Sequence, residues 1–430
     1  MTTQQPTEPT ARSSAHPEQD AEFLNHFRSM SQIGATAGGG VDRQAATLAD
    51  GQTRHWFRGI VESLGMTVHY DRVGNQFALL ELVPGAPFIA LGSHLDSQPL
   101  GGRFDGAYGV LAGAHAVIRA SRAADAQGAP AFNLCVVNWF NEEGCRFKPS
   151  MMGSAVFTGK LDADAALDTA DPAGVTVREA LEAIGTVGDF RVDLAAYLEI
   201  HIEQGRVLED SGMTIGLVES TWGANKYEFV VHGEQAHTGA TVIADRQDAL
   251  LGASAMVVAA RAVANDFSTP DAEVITSCGE FTVFPNSPVV VASRVSLLMD
   301  LRSTDPEALA RADAALFARI REIEVEANVR IERGAEHIWG AKAYDERGME
   351  LAAACAEELG LSHRVVRTLA GHDSTNLKDL VPTIMLFIPS AEGISHNERE
   401  FTSDADMLAG VDLLTAVTSR VLRGEFVPAP

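Results

Sequence analysis

The stretch FIALGSHLDS, residues 88–97, decides how the chain is read. Phe88 to Leu91 are apolar without alternation, the pattern of a strand covered on both faces. The run then turns polar, with His94 and Asp96 in what reads as the following loop. Working outward, residues 43–65 carry a helical pattern ending at Gly65, and TVHYDRVGNQFALLEL (67–82) reads as two strands around a Gly74-Asn75 turn. Residues 106–123 read as a helix and 133–140 as the next buried strand. This alternation predicts an α/β sheet with helices on its faces.

The middle of the chain changes rhythm. NKYEFVVHG (225–233) is a strand, 245–264 an apolar helix, EVITSCGEFTVF (273–284) and RVSLLMDLRS (294–303) two strands, PEALARADAALFARIREIEVEA (306–327) an amphipathic helix and VRIERG (329–334) a last strand. The order β-α-β-β-α-β is that of the split ferredoxin-like unit. After it come a helix at 345–359, strands at 363–368 and 382–388, and a closing helix at 404–422. The expected organisation is a disordered tail over 1–20, then an α/β domain in two parts, 21–218 and 333–430, interrupted by a small α+β domain over 219–332.

A length of 430 residues suits two domains with ample core. The net charge of -25 argues against nucleic acid and anionic membrane partners. No apolar run is read as reaching the roughly 18–20 residues of a membrane span. The start, MTTQQPTEPTARSSAHPEQD, lacks a basic segment followed by an apolar one, so no secretory signal is read. Cys135, Cys145, Cys278 and Cys355 are scattered without a CxxC pair, against a Cys-ligated zinc site or a disulfide framework. A cytoplasmic enzyme is the expectation.

Candidate ligands sit where strands end. His94 follows an apolar strand. Asp105 lies between glycines before a helix. Glu142 and Glu143 follow the strand that ends at Phe140. His201 and Glu203 alternate along YLEIHIEQG (197–205), and His396 follows the last apolar strand. Open α/β sheets gather their sites at the carboxyl ends of strands. A lone strand-end histidine is more often structural, and an Asp among glycines is ordinary turn chemistry. Their recurrence at five ends suits Zn²⁺, or Mn²⁺, Co²⁺ or Ni²⁺.

The motifs GSHLDSQPLGGRFDG (92–106), NEEGCRF (141–147), GSAVFTGKL (153–161), LEIHIEQG (198–205), GEQAHTGA (233–240), DLRS (300–303), GHDS (371–374) and FIPSAEGISHNERE (387–400) occur in this order. In them the chain resembles the hydantoinase/carbamoylase-type metal-dependent amidases. These are the N-carbamoyl-L-amino-acid hydrolases, β-ureidopropionases and allantoate amidohydrolases, relatives of the di-zinc aminopeptidases. The resemblance implies a catalytic α/β domain with an inserted lid and dimerisation domain. It implies two divalent metal ions bridged by Asp105, one completed by His94 and His201, the other by Glu143 and His396. Glu142 would be the general base toward the attacking water, and Asp96 would hold the His94 ring. Gln204 would contact the amide or ureido group. His237 would stabilise the tetrahedral oxyanion from the lid of a partner subunit. Arg302 would bind the substrate carboxylate with its fork of donors, and Gly371 and His372 would line the pocket. Cys145 is read as incidental.

One departure matters. Where the family has an asparagine ahead of the arginine strand, PNSPVVVASRV (285–295) has Val289, and Ala292 stands where a proline is usual. HTGATVIADR (237–246) has Val242 and Ile243 where the family has Pro and Met. One wall of the substrate pocket is therefore expected to be less polar. The implied activity is hydrolysis of a linear amide of a small carboxylated molecule, led by an N-carbamoyl-L-amino acid, in a homodimer. The rivals are an N-acyl amino acid amidase, an allantoate amidohydrolase, an aminopeptidase-like hydrolase, and a scaffold that kept the fold without the chemistry.

Overall fold

The computed structural model describes residues 16–269, 272–368 and 370–429. In chain order its strands are β1 (Thr67–Tyr70), β2 (Gln76–Leu80), β3 (Phe88–His94), β4 (Asn133–Trp139), β5 (Leu194–Ile202), β6 (Ile215–Ser220), β7 (Gly223–His232), β8 (Ala236–His237), β9 (Val274–Phe284), β10 (Val290–Val291), β11 (Arg294–Ser303), β12 (Arg330–Trp339), β13 (His363–Arg367) and β14 (Thr383–Ile388). Two compact units result. The first runs to Val218 and resumes at Tyr344–Val366 and from Gly371; the second is Glu219–Ala343 with Arg367–Ala370.

The first unit is built on an eight-stranded sheet in the order β1-β2-β4-β3-β5-β14-β6-β13. Its centre, β4-β3-β5-β14, is parallel. Those four strands are the apolar runs of the sequence, and their residues are buried on both faces apart from Phe88 and Ala195. Their carboxyl ends lie side by side, which brings the segments after His94, Trp139, His201 and Ile388 to one edge. The helix Ala107–Gln127 packs on β3 and β5 and against the closing helix Asp404–Leu422. Gly109 lets it approach closely: a Cβ there would lie 2.3 Å from the Ile200 carbonyl oxygen. The start of this helix, with Asp105 just before it, is thereby drawn onto β5 beside His201.

The second unit pairs β12-β7-β11-β9 in one antiparallel sheet. The helices Ala249–Phe267 and Pro306–Glu326 share a core with it. Chain order β-α-β-β-α-β with this spatial order is the ferredoxin-like arrangement. The unit continues past residue 332 because β12 runs on to Trp339 and Thr221 then hydrogen-bonds Lys342 through both main chain and hydroxyl. A short ribbon pairs β8 with β10. The helix Ala249–Phe267 is long and apolar enough to cross a membrane by length and composition. It nevertheless carries Arg261 and Asp266 and buries Ala253, Met256, Ala260 and Val263 in this core.

Two expectations change. The tail over 1–20 lies outside the described residues only to residue 15. From Pro17 the chain is already the helix Pro17–Met30, with Pro17, Glu18 and Asp20 in a favourable first turn and Phe23, Phe27 and Met30 buried. The helix read over 43–65 starts at Leu48 instead. Ala46 is held at φ +53° and the Thr47 side chain caps Asp50 N–H, so residues 43–47 stay outside the helix.

Candidate metal centre

His94 ends β3 and His201 lies near the end of β5, both almost fully buried. Each ring is fixed from behind by a main-chain carbonyl, Asp96 O at 2.9 Å from His94 Nδ1 and Ile202 O at 2.8 Å from His201 Nδ1. A carbonyl only accepts, so each Nδ1 carries the hydrogen and Nε2 points forward as a lone pair. Both Nε2 atoms face Asp105 Oδ1, at 3.6 Å from His94 and 3.1 Å from His201. The main-chain N–H of Gly106 also donates to His201 Nε2 at 3.0 Å. Two acceptors facing one another in a buried site call for a positive charge between them. That demand is visible in the rings, whose pKa values are raised although burial opposes it, by Glu142 and Asp105 at His94 and by Asp105 at His201.

The other oxygen of Asp105 faces a second group. His396 Nε2 lies 3.3 Å from Asp105 Oδ2 and 3.4 Å from Glu143 Oε2. His94, Asp105 and His201 therefore form one set able to hold a metal ion, and Asp105, Glu143 and His396 another, with Asp105 common to both. Imidazole and carboxylate are the donors a divalent zinc-like metal takes. The residues present fit such ions, because the buried carboxylates of Glu142, Glu143 and Asp105 need cations to compensate them.

Asp96 sits behind the His94 ring as expected from the sequence, although its carboxylate Oδ1, 3.7 Å from Nδ1, does not make the hydrogen bond that orients the ring. Its main-chain carbonyl does that, while the carboxylate accepts the N–H of Glu142 at 3.2 Å and of Glu143 at 3.3 Å. The two adjacent glutamates then diverge. Glu142 Oε2 lies 3.5 Å from His94 Nε2, and Glu143 receives the main-chain and side-chain N–H groups of Gln98 at 3.1 and 2.9 Å. Burial pushes the Glu142 carboxyl well above its usual range; His94 opposes this and Asp373, Glu143 and Asp96 add to it. Glu203 does not join His201. Its carboxylate takes the N–H groups of Val207 and Leu208 at the start of a short helix.

Gln204 sits at φ +57° and donates from Nε2 to Asp105 Oδ2 at 2.8 Å and to Ser395 at 3.0 Å. Its Oε1 is buried without a hydrogen-bond partner among the described residues. His372 is buried with its ring 4.5 Å from that of His201, edge to face, and burial, then His201, lowers its pKa far enough to keep it neutral. Gly371 lies next to Met151. Cys145 lies against Ser97 O and Gln44, and burial pushes its thiol out of the reactive range.

His237, Val289 and Arg302 belong to the second unit. His237 Nδ1 accepts from the N–H groups of Gly239 and Ala240, both at 3.1 Å, which leaves its exposed ring with Nε2–H as a donor. It pairs with Val290, and Thr238 N–H donates to Val289 O. Val289 is 60 % exposed, and Val242 and Ile243, just beyond the His237 turn, are 64 % and 81 % exposed. The Arg302 guanidinium donates to Asp300 at 2.6 Å and stacks on Trp222.

Reading by motif missed Glu400 and Ser395. Glu400 is buried and accepts the N–H groups of Phe104 and Asp105 at 2.9 and 3.1 Å, while Ser395 bridges Glu400 and Asp105. Glu400, three residues after SHN, was visible in the sequence, but its main-chain partners lie nearly 300 residues away.

Residues 90–420 match the peptidase family M20/M25/M40. The chain belongs to that family. Within this M20 family it is 56 % identical over 413 residues to a hydrolase of Mycolicibacterium smegmatis, covering 94 % of each chain. It is 35 % identical to the N-carbamoyl-L-amino-acid amidohydrolase of Rhizobium meliloti, over 90 % of this chain and 92 % of that one. It is 33 % identical to the allantoate amidohydrolase of Bacillus subtilis, over 91 % and 95 %. The crystal structure of a hydantoinase/carbamoylase family amidase from Burkholderia vietnamiensis superimposes with a TM-score of 0.88 at 37 % identity, over 93 % of this chain and 97 % of that one. This M20 chain is thus a hydrolase of C–N bonds of the hydantoinase/carbamoylase type, with a catalytic α/β domain and a lid domain.

Proposed function

We propose that the protein is a dinuclear metal-dependent amidohydrolase that cleaves a linear amide of a small carboxylated molecule. The leading substrate is an N-carbamoyl-L-amino acid, released as amino acid, CO₂ and ammonia. The observation that carries this reading is the pair of ligand sets sharing Asp105, with Glu142 beside His94 but outside both sets. The metal would be Zn²⁺, or Mn²⁺, Co²⁺ or Ni²⁺, held by His94, Asp105 and His201 and by Asp105, Glu143 and His396. When bound, two such cations polarise a scissile carbonyl and acidify water.

The chain's own residues then have separable tasks. Glu142, its carboxyl raised chiefly by burial, takes a proton from the attacking water and returns it to the leaving nitrogen, a service of about 10²–10⁴-fold. Gln204 offers its unpartnered Oε1 to an amide or ureido N–H. His237 donates from Nε2–H to the developing oxyanion, entering from the lid of a second copy of the chain, and Arg302 takes the carboxylate. A homodimer is supported by β9, an edge strand of the lid sheet, and by the exposed Leu251 and Val258 of the neighbouring helix. A fully active monomer by sedimentation would remove the shared-site version. The four free cysteines suit a cytoplasmic setting.

A second reading, an N-acyl amino acid amidase, is favoured by one observation: His237 is flanked by exposed Val242, Ile243 and Val289, none of which hydrogen-bonds through its side chain. The test is a screen of chelator-treated protein reconstituted with each metal. N-carbamoyl amino acids, N-acyl amino acids and allantoate are offered in parallel. Turnover of a carbamoyl substrate that depends on added metal supports the leading reading, and preference for an acyl substrate supports the second. Hydrolysis of none of them, with no metal retained, would leave only a scaffold.

A further inference from the structure

His94 and His201 are placed by buried strands and locked by carbonyls. Among the described residues His396 has neither support. It lies in the loop after β14, its backbone at φ +52° and its side chain 50 % exposed. A ligand on such a loop is only as well placed as the loop itself. We propose that Glu398 is the positioning residue for His396: it latches this loop onto the glycine-rich segment Thr36–Gly40 and so sets the strength of the Asp105/Glu143/His396 set independently of the His94/His201 set. The proposal rests on the dinuclear reading.

The latch is built from both sides. Glu398 Oε1 accepts the Thr36 hydroxyl in a short hydrogen bond, and also the Gly38 N–H at 3.2 Å. Thr36 is itself pinned, since its Oγ1 accepts Gly40 N–H at 3.1 Å and its N–H donates to Gly40 O at 3.0 Å. Val41 then exchanges main-chain hydrogen bonds with Gly101 at 3.0 and 2.9 Å, anchoring the segment to the loop that leads into Asp105. The glycines are shaped to the glutamate. A Cβ at Gly38 would fall 2.2 Å from the Glu398 carboxylate, and one at Gly40 would fall 2.2 Å from Gly101 O and 2.8 Å from Glu398 Cα. The run AGGG, which no catalytic motif absorbed, is therefore a fitted seat for one side chain.

The selectivity follows from what each acid of SHNERE touches. Glu400 binds the N–H of Asp105, the residue common to both sets, so its loss should disturb both. Glu398 touches none of the residues of the His94/His201 set among its described hydrogen bonds, and lies two residues from His396. Partners behind a ligand are commonly worth 10–100-fold in metal affinity.

The test is calorimetric titration of chelator-treated, full-length protein with Zn²⁺, with the Glu143→Gln variant marking which of two equivalents belongs to the Glu143/His396 set. Glu398→Ala is expected to weaken that equivalent by about 10–100-fold and to leave the other within about twofold. Glu398→Gln, which keeps an acceptor oxygen, should restore most of the loss, and Thr36→Val should show a smaller loss in the same equivalent. Circular dichroism and melting of the metal-free proteins check folding; if Glu398→Ala does not fold, Thr36→Val carries the comparison. Equal weakening of both equivalents, or of neither, in variants of a wild type that binds two would overturn the proposal alone. A wild type that binds one equivalent would overturn the dinuclear reading and this proposal with it.

Discussion

Replacing Gly106 by Ala tests whether the metal centre is set by close packing behind it. Gly106 sits at φ +62°, and a Cβ there would lie 2.3 Å from His94 Nε2 and 2.4 Å from the two neighbouring ring carbons. Ordinary contact begins at 3.4 Å, so the ring must retreat by about 1.1 Å (3.4 − 2.3). Metal ligands tolerate about 0.2 Å, and the retreat also pulls Nδ1 off the Asp96 carbonyl. Two costs add: about 1–3 kcal/mol for an L-residue at φ +62°, ψ −50°, outside the left-handed helical well, and about 1 kcal/mol for the lost hydrogen bond. Metal-free Gly106→Ala should therefore melt only a few degrees lower, whereas Zn²⁺ affinity at the His94 set should fall by more than about 100-fold, beyond the loss of an outer partner. Gly212→Ala is the control. At φ +64°, ψ +31° with nothing within 4 Å of its Cβ, it carries a positive-φ cost, smaller than that at Gly106, without the clash. Titration of both variants with Zn²⁺ and melting in chelator give the comparison. Wild-type Zn²⁺ affinity in Gly106→Ala, or an equal loss in Gly212→Ala, would refute the reasoning.

Further outcomes separate the neighbouring groups. Glu142→Gln should keep both metal equivalents and lose about 10²–10⁴-fold in kcat, and activity near wild type would remove Glu142 from proton transfer. Glu143→Gln should instead weaken one metal equivalent, and unchanged stoichiometry and affinity would count against it as a ligand. Val289→Asn should move the ratio of kcat/KM for carbamoyl over acyl substrates upward by up to about tenfold, a hydrogen bond's worth; an unchanged ratio would end the pocket reading. Far from the centre, His115 meets His26 at 3.1 Å under the first helix, and burial, with His26 and Arg119, lowers its pKa to about 3. The folded state refuses a proton that the unfolded state accepts below about pH 6.5. Its contribution is thus intact above that pH and is lost as pH falls toward 3, by about 1.4 kcal/mol per unit. His115→Leu should flatten the acid limb of a urea-unfolding series, and an unchanged slope would refute the assignment.

The sheet was legible because β3, β4, β5 and β14 are covered on both faces and so read as unbroken apolar runs. The residues that meet at its edge were legible for the same reason: His94, Glu143, His201 and His396 each follow such a run. What acts through space was not. Glu400 and Ser395 serve Asp105 from across the chain, and no periodicity announces that. Glu203 follows the alternation of β5 and was expected beside His201. A local demand, two N–H groups opening a short helix, won instead. The start of the second helix was misplaced by the same kind of local chemistry, a capping threonine preceded by a left-handed alanine.

The adjacent pair Glu142-Glu143 shows how one buried group can assign two roles. Side-by-side carboxylates repel, and a strand alone would merely send them to opposite faces. Here the chain leaves β4 and turns through Asn141 at φ +51° and Gly144 at φ +66°, so strand geometry no longer applies. The orientation comes from Asp96, whose two oxygens each take one of the glutamate N–H groups. With both peptide planes pinned by one carboxylate, Glu142 is turned toward His94 and Glu143 toward His396 and Gln98. The proposed base and the proposed ligand are thus distinguished by the same residue whose carbonyl orients the His94 ring, so Asp96→Ala should lower both Zn²⁺ affinity by titration and kcat, whereas a change at either glutamate should lower only one.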